Sequence, residues 1–258
     1  MEESSISRMR SFGAWSGLVY VALVFGGWAV VGKFLLPPLK PSAPADQIVV
    51  FYQENTTMIR IGMLIVMLAA LVAIPFCSMV TGIVGEIERR RGMLTYSVLL
   101  GGAGLVVLTF YPAIFWLVAA FRPDRDPALT QLMNDLAWLQ FVGGITIFLS
   151  LPLGVAIAAF TDKSPNPVFP RWMGYFNAWV VALIVPDQLI FFFHSGPFAW
   201  NGLFGLWVPA GVFGLWFIVT SIVVVRHYKN LDNLRTASGV AAPDAESLGA
   251  PNHVGVRR

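Results

Sequence analysis

The chain has 258 residues, of which 57% are hydrophobic and only 12% are charged. A soluble domain carries about 25% charged residues, so this composition excludes an ordinary water-soluble globular protein. A net charge of +3 is too weak for a nucleic-acid-binding surface, and the single cysteine, Cys77, excludes an internal disulfide and a multi-cysteine metal site.

Six apolar stretches reach the roughly 20 residues that a helix needs to cross a bilayer. In chain order they cover about residues 12–36, 58–84, 93–121, 132–160, 172–194 and 203–226. The sequence therefore predicts an all-α fold, a six-helix transmembrane bundle within residues 1–230. Residues 231–258 are rich in Ala, Pro, Gly, Asn and Asp and lack apolar periodicity, which predicts a disordered tail.

The connection after the first span has two parts. Pro37 and Pro38 end the span and begin an extended, proline-rich segment. Its second part, ending near residue 57, has the pattern of a short amphipathic helix that lies on the membrane surface.

Lysine and arginine indicate the orientation in the membrane, because cytoplasmic loops carry an excess of both. With the N-terminus inside, most of the seventeen basic residues fall on the cytoplasmic side, among them the run Arg89, Arg90 and Arg91 between spans two and three. We therefore predict a multi-pass protein of the cell inner (plasma) membrane with both termini and the tail in the cytoplasm.

One acidic residue within a span is the main functional signal. At about 1.5 Å per residue, Asp187 lies only about 6 Å beyond the midpoint of span five, inside the hydrocarbon core. An ionisable residue at this depth is costly and suggests a functional site. Pro186 precedes it and removes a helical hydrogen-bond donor, so the helix is expected to kink there.

Two interpretations of Asp187 stay open. In the first, it lies near the floor of a polar cavity that is open, or nearly open, to the outside. In the second, it is a structural acid satisfied by a neighbour such as Arg60 or Tyr111. Further polar and aromatic residues lie mostly in the outer half of the spans, and we nominate them as ligand-binding candidates together with Asp187: Gln188, His194, Tyr111, Gln140, Asp135, Arg60, Trp138, Trp116 and Asn201.

His194 follows Asp187 by two helical turns, so both lie on nearly the same face, about 10 Å apart. It either lines the same cavity or caps span five at the membrane interface before Gly196 and Pro197. With three histidines in the chain and one near the outer side, the sequence excludes haem held by two intramembrane histidines and a multi-histidine metal site. We expect no metal and no cofactor, and ligation of haem by one histidine stays open.

Several runs resemble known proteins. "NDLAWLQFVGG", "FPRWMGYFNAWV" and "GPFAWNGLFGLW" resemble a group of bacterial, largely actinobacterial, multi-span membrane proteins of unassigned function. "HSGPFAWNG" is similar to a short stretch of the styrene oxide isomerases, which are four-helix membrane proteins whose histidine holds haem b. This second resemblance implies that His194 is an iron ligand and that Asn201 lines the haem pocket.

The leading hypothesis for the function is a protein that binds or transports a small amphiphilic or apolar molecule in an outward-facing polar cavity with aromatic walls. The alternatives are a membrane-embedded enzyme acting on an apolar substrate through Asp187, with or without haem, and a non-catalytic accessory subunit. The expected partners are membrane lipids and the small ligand, with no nucleic acid. A homo-oligomer or a partner in a membrane complex stays open.

Overall fold

The computed structural model describes residues 2–89 and 92–237, and every regular element within these residues is a helix. Six helical units of the described chain are long and apolar enough to cross a membrane. The all-α class and the six candidate spans are therefore confirmed. Arg90 and Arg91 of the basic loop, and residues 238–258 of the expected tail, lie outside the described residues.

Long helices form the first three candidate spans. The first begins as α1 (Glu2–Val24) and continues as a π-helical segment (Phe25–Val31). The second is α2 (Ala45–Ile87) and the third is α3 (Met93–Phe121). Because α2 packs against both α1 and α3, it forms the centre of this half of the bundle.

The fourth and fifth candidate spans change helix type partway along. The fourth consists of α4 (Pro127–Phe141), a 3-10 segment (Gly143–Leu149) and α5 (Ser150–Thr161). The fifth consists of α6 (Arg171–Ile184) and a second 3-10 segment (Val185–Phe191). The two 3-10 segments contact each other. Both predicted spans exist, but neither is a single α-helix.

The sixth candidate span begins with a π-helical segment (Leu203–Trp207) and continues as α7 (Val208–Ala237). The sequence predicted that a disordered tail begins at residue 231. The backbone instead stays helical to Ala237, so the helix extends into the predicted tail.

The N-terminal part of α2 differs from the prediction. The second part of the connection after the first span was expected as a separate helix on the membrane surface, but residues 45–57 form the first turns of α2. Polar side chains do not break the helix here, because Asn55 and Thr56 donate hydrogen bonds to the carbonyls of Phe51 and Tyr52, at 2.9 and 2.6 Å. With 43 residues, α2 is about 65 Å long, so its first turns extend beyond the hydrocarbon core.

Side-chain contacts define two ends of the bundle. Near the start of α1, Arg10 bonds to Glu86 at the end of α2 and to Tyr228 late in α7. We call this the terminal end, because both ends of the described chain lie there. At the opposite end, which we call the loop end, the Trp200 indole donates a 2.7 Å hydrogen bond to the carbonyl of Leu39.

A capping network closes the turn between α2 and α3 at the terminal end. The Glu88 carboxylate accepts hydrogen bonds from the Thr95 hydroxyl, at 2.5 Å, and from the backbone amides of Gly92, Leu94 and Thr95, at 3.0 to 3.1 Å. These hydrogen bonds lower the pKa of Glu88 from 4.5 to about 2, and the bond from the Thr95 hydroxyl contributes most to this shift. Glu88 therefore serves as an anionic cap for the first turn of α3.

The core contains a large aromatic cluster on the side of the loop end. Its rings are stacked, tilted or edge to face, with centroids 4.7 to 6.4 Å apart, which is the range of favourable aromatic contacts. We call it the loop-end cluster, and it consists of Trp28, Phe34, Trp116, Trp138 and Trp200. A second cluster packs the rest of the bundle around Phe76, Phe148, Trp216 and Phe217.

The outer surface of the bundle is strongly apolar. Leu68 and Leu71 on α2 and Trp179 on α6 are 62%, 65% and 66% exposed. Soluble monomers rarely expose broad apolar patches, whereas lipid chains provide favourable surroundings for such side chains. The surface therefore agrees with the six candidate spans.

Candidate functional site

A cavity lies between the two core clusters, where four irregular segments of the described chain meet. Its walls come from α1, α3, α4 and α7 and from all four irregular segments. The first of these segments contributes Phe25 and Trp28, and the next three contribute Ile145, Asp187 and Leu206 in chain order. The volume that the centre of a water molecule can reach inside this cavity is about 50 Å³. One water needs about 10–15 Å³ on this scale, so a few waters or a ligand of a few heavy atoms fit.

The local sequence explains why the fourth and fifth spans break beside this cavity. Pro186 lacks an amide hydrogen, and the pair Gly143–Gly144 has little helix propensity, so the α-helical hydrogen-bond ladder is weakest at these points. Irregular backbone at membrane depth is tolerated where it is buried in protein or lines a cavity. The convergence of such segments therefore supports a site at this position.

Asp187 is the acidic residue of the cavity wall and is completely buried, with 0% of its surface exposed. Both interpretations of Asp187 require its side chain to face the bundle and not lipid, and the burial agrees with that requirement. The partner that the second interpretation requires is missing, because neither carboxylate oxygen has a hydrogen bond to Tyr111, Gln140, Arg60 or any other described residue. A buried acid without a protein partner must be neutral, hydrated or bound to a ligand.

Tyr20 and Thr109 supply a second polar group on the wall. The Thr109 hydroxyl donates to the carbonyl of Leu105 at 2.9 Å, so it accepts the 2.8 Å hydrogen bond from the Tyr20 hydroxyl. Both side chains line the cavity and are buried. Sequence analysis did not nominate them, although a tyrosine and a threonine within spans were a usable signal.

Trp28 also was not nominated, and it connects the cavity with the loop end. Its ring lines the cavity, and its indole N–H is buried without an acceptor among the described residues. The Trp138 ring meets it edge to face at 5.6 Å and stacks on Trp200 at 5.8 Å, while Trp200 bonds to Leu39 in the loop. A column of three rings therefore leads from the cavity to the loop end.

Three nominated residues lie next to the cavity and not on its wall. Gln188 turns away and donates a 2.8 Å hydrogen bond to the carbonyl of Gly143. Trp116 and Trp138 lie behind Trp28 in the loop-end cluster, and their buried indole N–H groups likewise have no acceptor in the described part of the chain. These residues support the wall instead of forming it.

Three others lie outside the site. Tyr111 is 48% exposed on α3, and Gln140 is half-buried on α4 outside the cavity wall. Arg60 is exposed on α2 and donates hydrogen bonds to the carbonyls of Ala120 and Phe121, at 2.8 and 3.2 Å. Arg60 therefore caps the end of α3, which explains why it does not pair with Asp187.

The remaining nominated residues gather at the loop end. Half-buried Asp135 accepts a 3.3 Å hydrogen bond from Asn134, which itself accepts one from Tyr52 at 3.1 Å. Exposed His194 lies close enough to Asp135 for an electrostatic interaction, and Asn201 is half-buried in the following turn. None of these residues lies on the cavity wall.

The residues around the cavity do not fit the haem that the isomerase resemblance implies. His194 is exposed at the loop end, and the described cavity wall contains no histidine. A haem on His194 would therefore lie outside the cavity, which is also far too small for a porphyrin. Within residues 2–89 and 92–237, no group of three or more His, Cys, Asp or Glu side chains could hold a metal ion. The expectation of no cofactor stays a prediction.

Comparisons of the chain with protein-family models, curated proteins and solved structures give no match. The two resemblances seen in the sequence therefore stay predictions. Any function must be argued from the cavity itself.

Proposed function

We propose that the protein is a membrane carrier that binds a small molecule in the cavity, with Asp187 as its main polar contact. The observation that carries the proposal is the convergence of four irregular segments on one cavity that holds a buried acid without a protein partner. Interrupted helices that meet near the middle of the membrane are the usual construction of transporter binding sites. Acids at this depth commonly belong to substrate or ion pathways.

The cavity wall indicates the kind of ligand. Apart from Asp187 and the Tyr20–Thr109 pair, the described wall is apolar or aromatic. Sites of this kind hold an apolar body and orient it through a few polar contacts. A small amphiphilic molecule with one polar group fits best, in agreement with the expectation from the sequence.

Access to the cavity is proposed from the loop end. The basic residues favour a cytoplasmic terminal end in a plasma membrane, so the loop end faces outward. The rings of Trp28, Trp138 and Trp200 fill the direct path, so they must move apart to admit a ligand. Membrane lipids surround the apolar outer surface, and the same surface offers room for a second copy or a partner subunit.

The enzyme and accessory-subunit hypotheses have weaker support. No hydrogen bond joins Asp187 to a nucleophile or base within the described chain, so no catalytic pair has been assembled around it. An accessory subunit needs no such cavity. Both stay alternatives, and the following experiment separates an accessory subunit from a carrier.

The test uses purified protein and three probes of nearly equal size, which are 1-propanol, propylammonium and propionate. Calorimetry should detect saturable binding of at least one probe, and proteoliposomes should show flux of that probe. Ala210→Leu adds bulk to the cavity wall and should weaken binding at least tenfold. Ala22→Leu is the matched control, because Ala22 is exposed on α1. Failure of all three probes to bind would overturn the proposal, and binding without flux would favour an accessory or sensing role.

A further inference from the structure

We propose that the ligand of the cavity is a small organic ammonium ion, and that the ion exchanges for a proton on Asp187. This inference rests on the proposed function and names its substrate class. It follows from the charge balance of the cavity, from the chemistry of the wall and from the lack of a protein partner for the carboxylate.

The cavity wall offers no positive charge to balance an ionised Asp187. Tyr20 on α1 is the one other titratable side chain on the described wall, and it is already bonded to Thr109. The wall residues from α3, α4, α7 and the other irregular segments carry no ionisable group. A charged carboxylate would therefore be unpaired in surroundings of low polarity, which costs several kcal/mol. Asp187 must hold a proton or face a cation that comes from outside the protein.

The wall favours an organic cation over a metal ion. Hard metal cations need about six oxygen ligands, whereas the described wall offers the Asp187 carboxylate and two side-chain hydroxyls that bond to each other. Aromatic rings attract ammonium groups and also accept their alkyl chains. Five aromatic side chains on the wall can do both, namely Tyr20, Phe25, Trp28, Phe141 and Phe213.

The exchange is balanced in atoms and charge. Neutral Asp187 loses its carboxyl proton to water, and the resulting carboxylate pairs with the entering ammonium group, so the cavity stays neutral before and after. One proton is released for each ion bound. The N–H of Trp28, which also lacks an acceptor among the described residues, can donate to a water that enters with the ion.

The experiment follows proton release by the wild-type protein in weakly buffered solution. Propylammonium should bind at least tenfold more tightly than 1-propanol and should release about one proton per ion. Its affinity should rise about tenfold per pH unit while Asp187 is protonated, because ion and proton compete for one group. These measurements need no variant, so they hold even if substitutions at this position impair folding.

Variants then identify the group involved. Asp187→Asn should weaken propylammonium binding at least tenfold and abolish the proton release. Asp135→Asn is the control, because Asp135 is a half-buried carboxylate at the loop end and outside the cavity wall. Equal binding of propylammonium and 1-propanol, or binding without proton release, would overturn the cation inference and leave the proposed carrier intact. Failure of every probe would overturn both.

Discussion

The side-chain amide of Gln188 donates a 2.8 Å hydrogen bond to the backbone carbonyl of Gly143, and this contact joins the two 3-10 segments of the fourth and fifth spans. Both segments replace α-helix beside the cavity, where backbone carbonyls lose part of their regular pairing. The bond therefore holds together the two breaks that position Asp187.

Gln188→Met should destabilise the protein while leaving its backbone fold intact. Methionine has a similar shape but cannot donate, so the Gly143 carbonyl loses a partner in a part-buried place, at a cost of about 1–3 kcal/mol. The melting temperature in detergent, followed by circular dichroism, measures the loss. Gln47→Met is the control, because Gln47 is exposed near the start of α2, and an equal loss in both variants would contradict the prediction.

Sequence reasoning identified the spans and the position of Asp187, because both depend on local quantities. Apolar length alone predicts a crossing, and depth follows from the helical rise. The burial of Asp187 followed from the cost of exposing an acid to lipid. These arguments need no knowledge of how the helices pack.

The contacts of Asp187 could not be predicted in the same way. Arg60 and Tyr111 lie at suitable depths, but depth leaves rotation about the helix axis undetermined, and Arg60 bonds to the carbonyls that end α3. The π-helical segments had no clear signal either. The 3-10 segments had one, since Pro186 and the Gly143–Gly144 pair mark the weak points.

The Glu88 cap should make stability depend on pH in the acid range. Hydrogen bonds from the Thr95 hydroxyl and nearby amides lower the pKa of Glu88 from 4.5 to about 2 in the folded protein. Because the folded pKa is the lower one, the stabilisation is complete above about pH 4.5 and is lost as the pH falls toward 2. Glu88→Gln should therefore lower the melting temperature at pH 6, and the difference from wild type should shrink between pH 4.5 and 2.

A matched substitution separates this cap from a general loss of negative charge. Glu54 is exposed at the other end of the same helix, so Glu54→Gln should change the melting temperature little at either pH. A difference between wild type and Glu88→Gln that stays constant from pH 6 to pH 2 would contradict the assigned role of Glu88.

The proposed orientation can be tested by cysteine labelling of intact cells. Cys77 is only 6% exposed, so background labelling should be low. Asp124→Cys at the loop end should react with an impermeant thiol reagent, and Lys163→Cys at the terminal end should react only after permeabilisation. Both positions are exposed, which makes them a matched pair. The reverse pattern would place the terminal end outside.

Substitution by alanine should have opposite effects on protein stability at two glycines of α2. A Cβ added at Gly62 would lie 2.6 Å from the amide nitrogen of Gly32 and would also clash with the carbonyl of Gly27. All of these are backbone atoms at the end of the first span or of Gly32 directly after it, so no side chain can rotate to make room. Gly62→Ala must push α2 away from the π-helical segment that carries Trp28. We expect a loss of about 1–3 kcal/mol or more and weaker ligand binding in the cavity.

Gly82→Ala is the control within the same helix. A Cβ added at Gly82 meets no atom within 4 Å, so the methyl group points into open space. Alanine also restricts the unfolded chain, which should stabilise the helix by about 0.5–1 kcal/mol. Unfolding transitions of the two variants in detergent give the comparison. If Gly62→Ala were as stable as Gly82→Ala and bound ligand normally, the close contact between α2 and the first span would not be needed to shape the cavity.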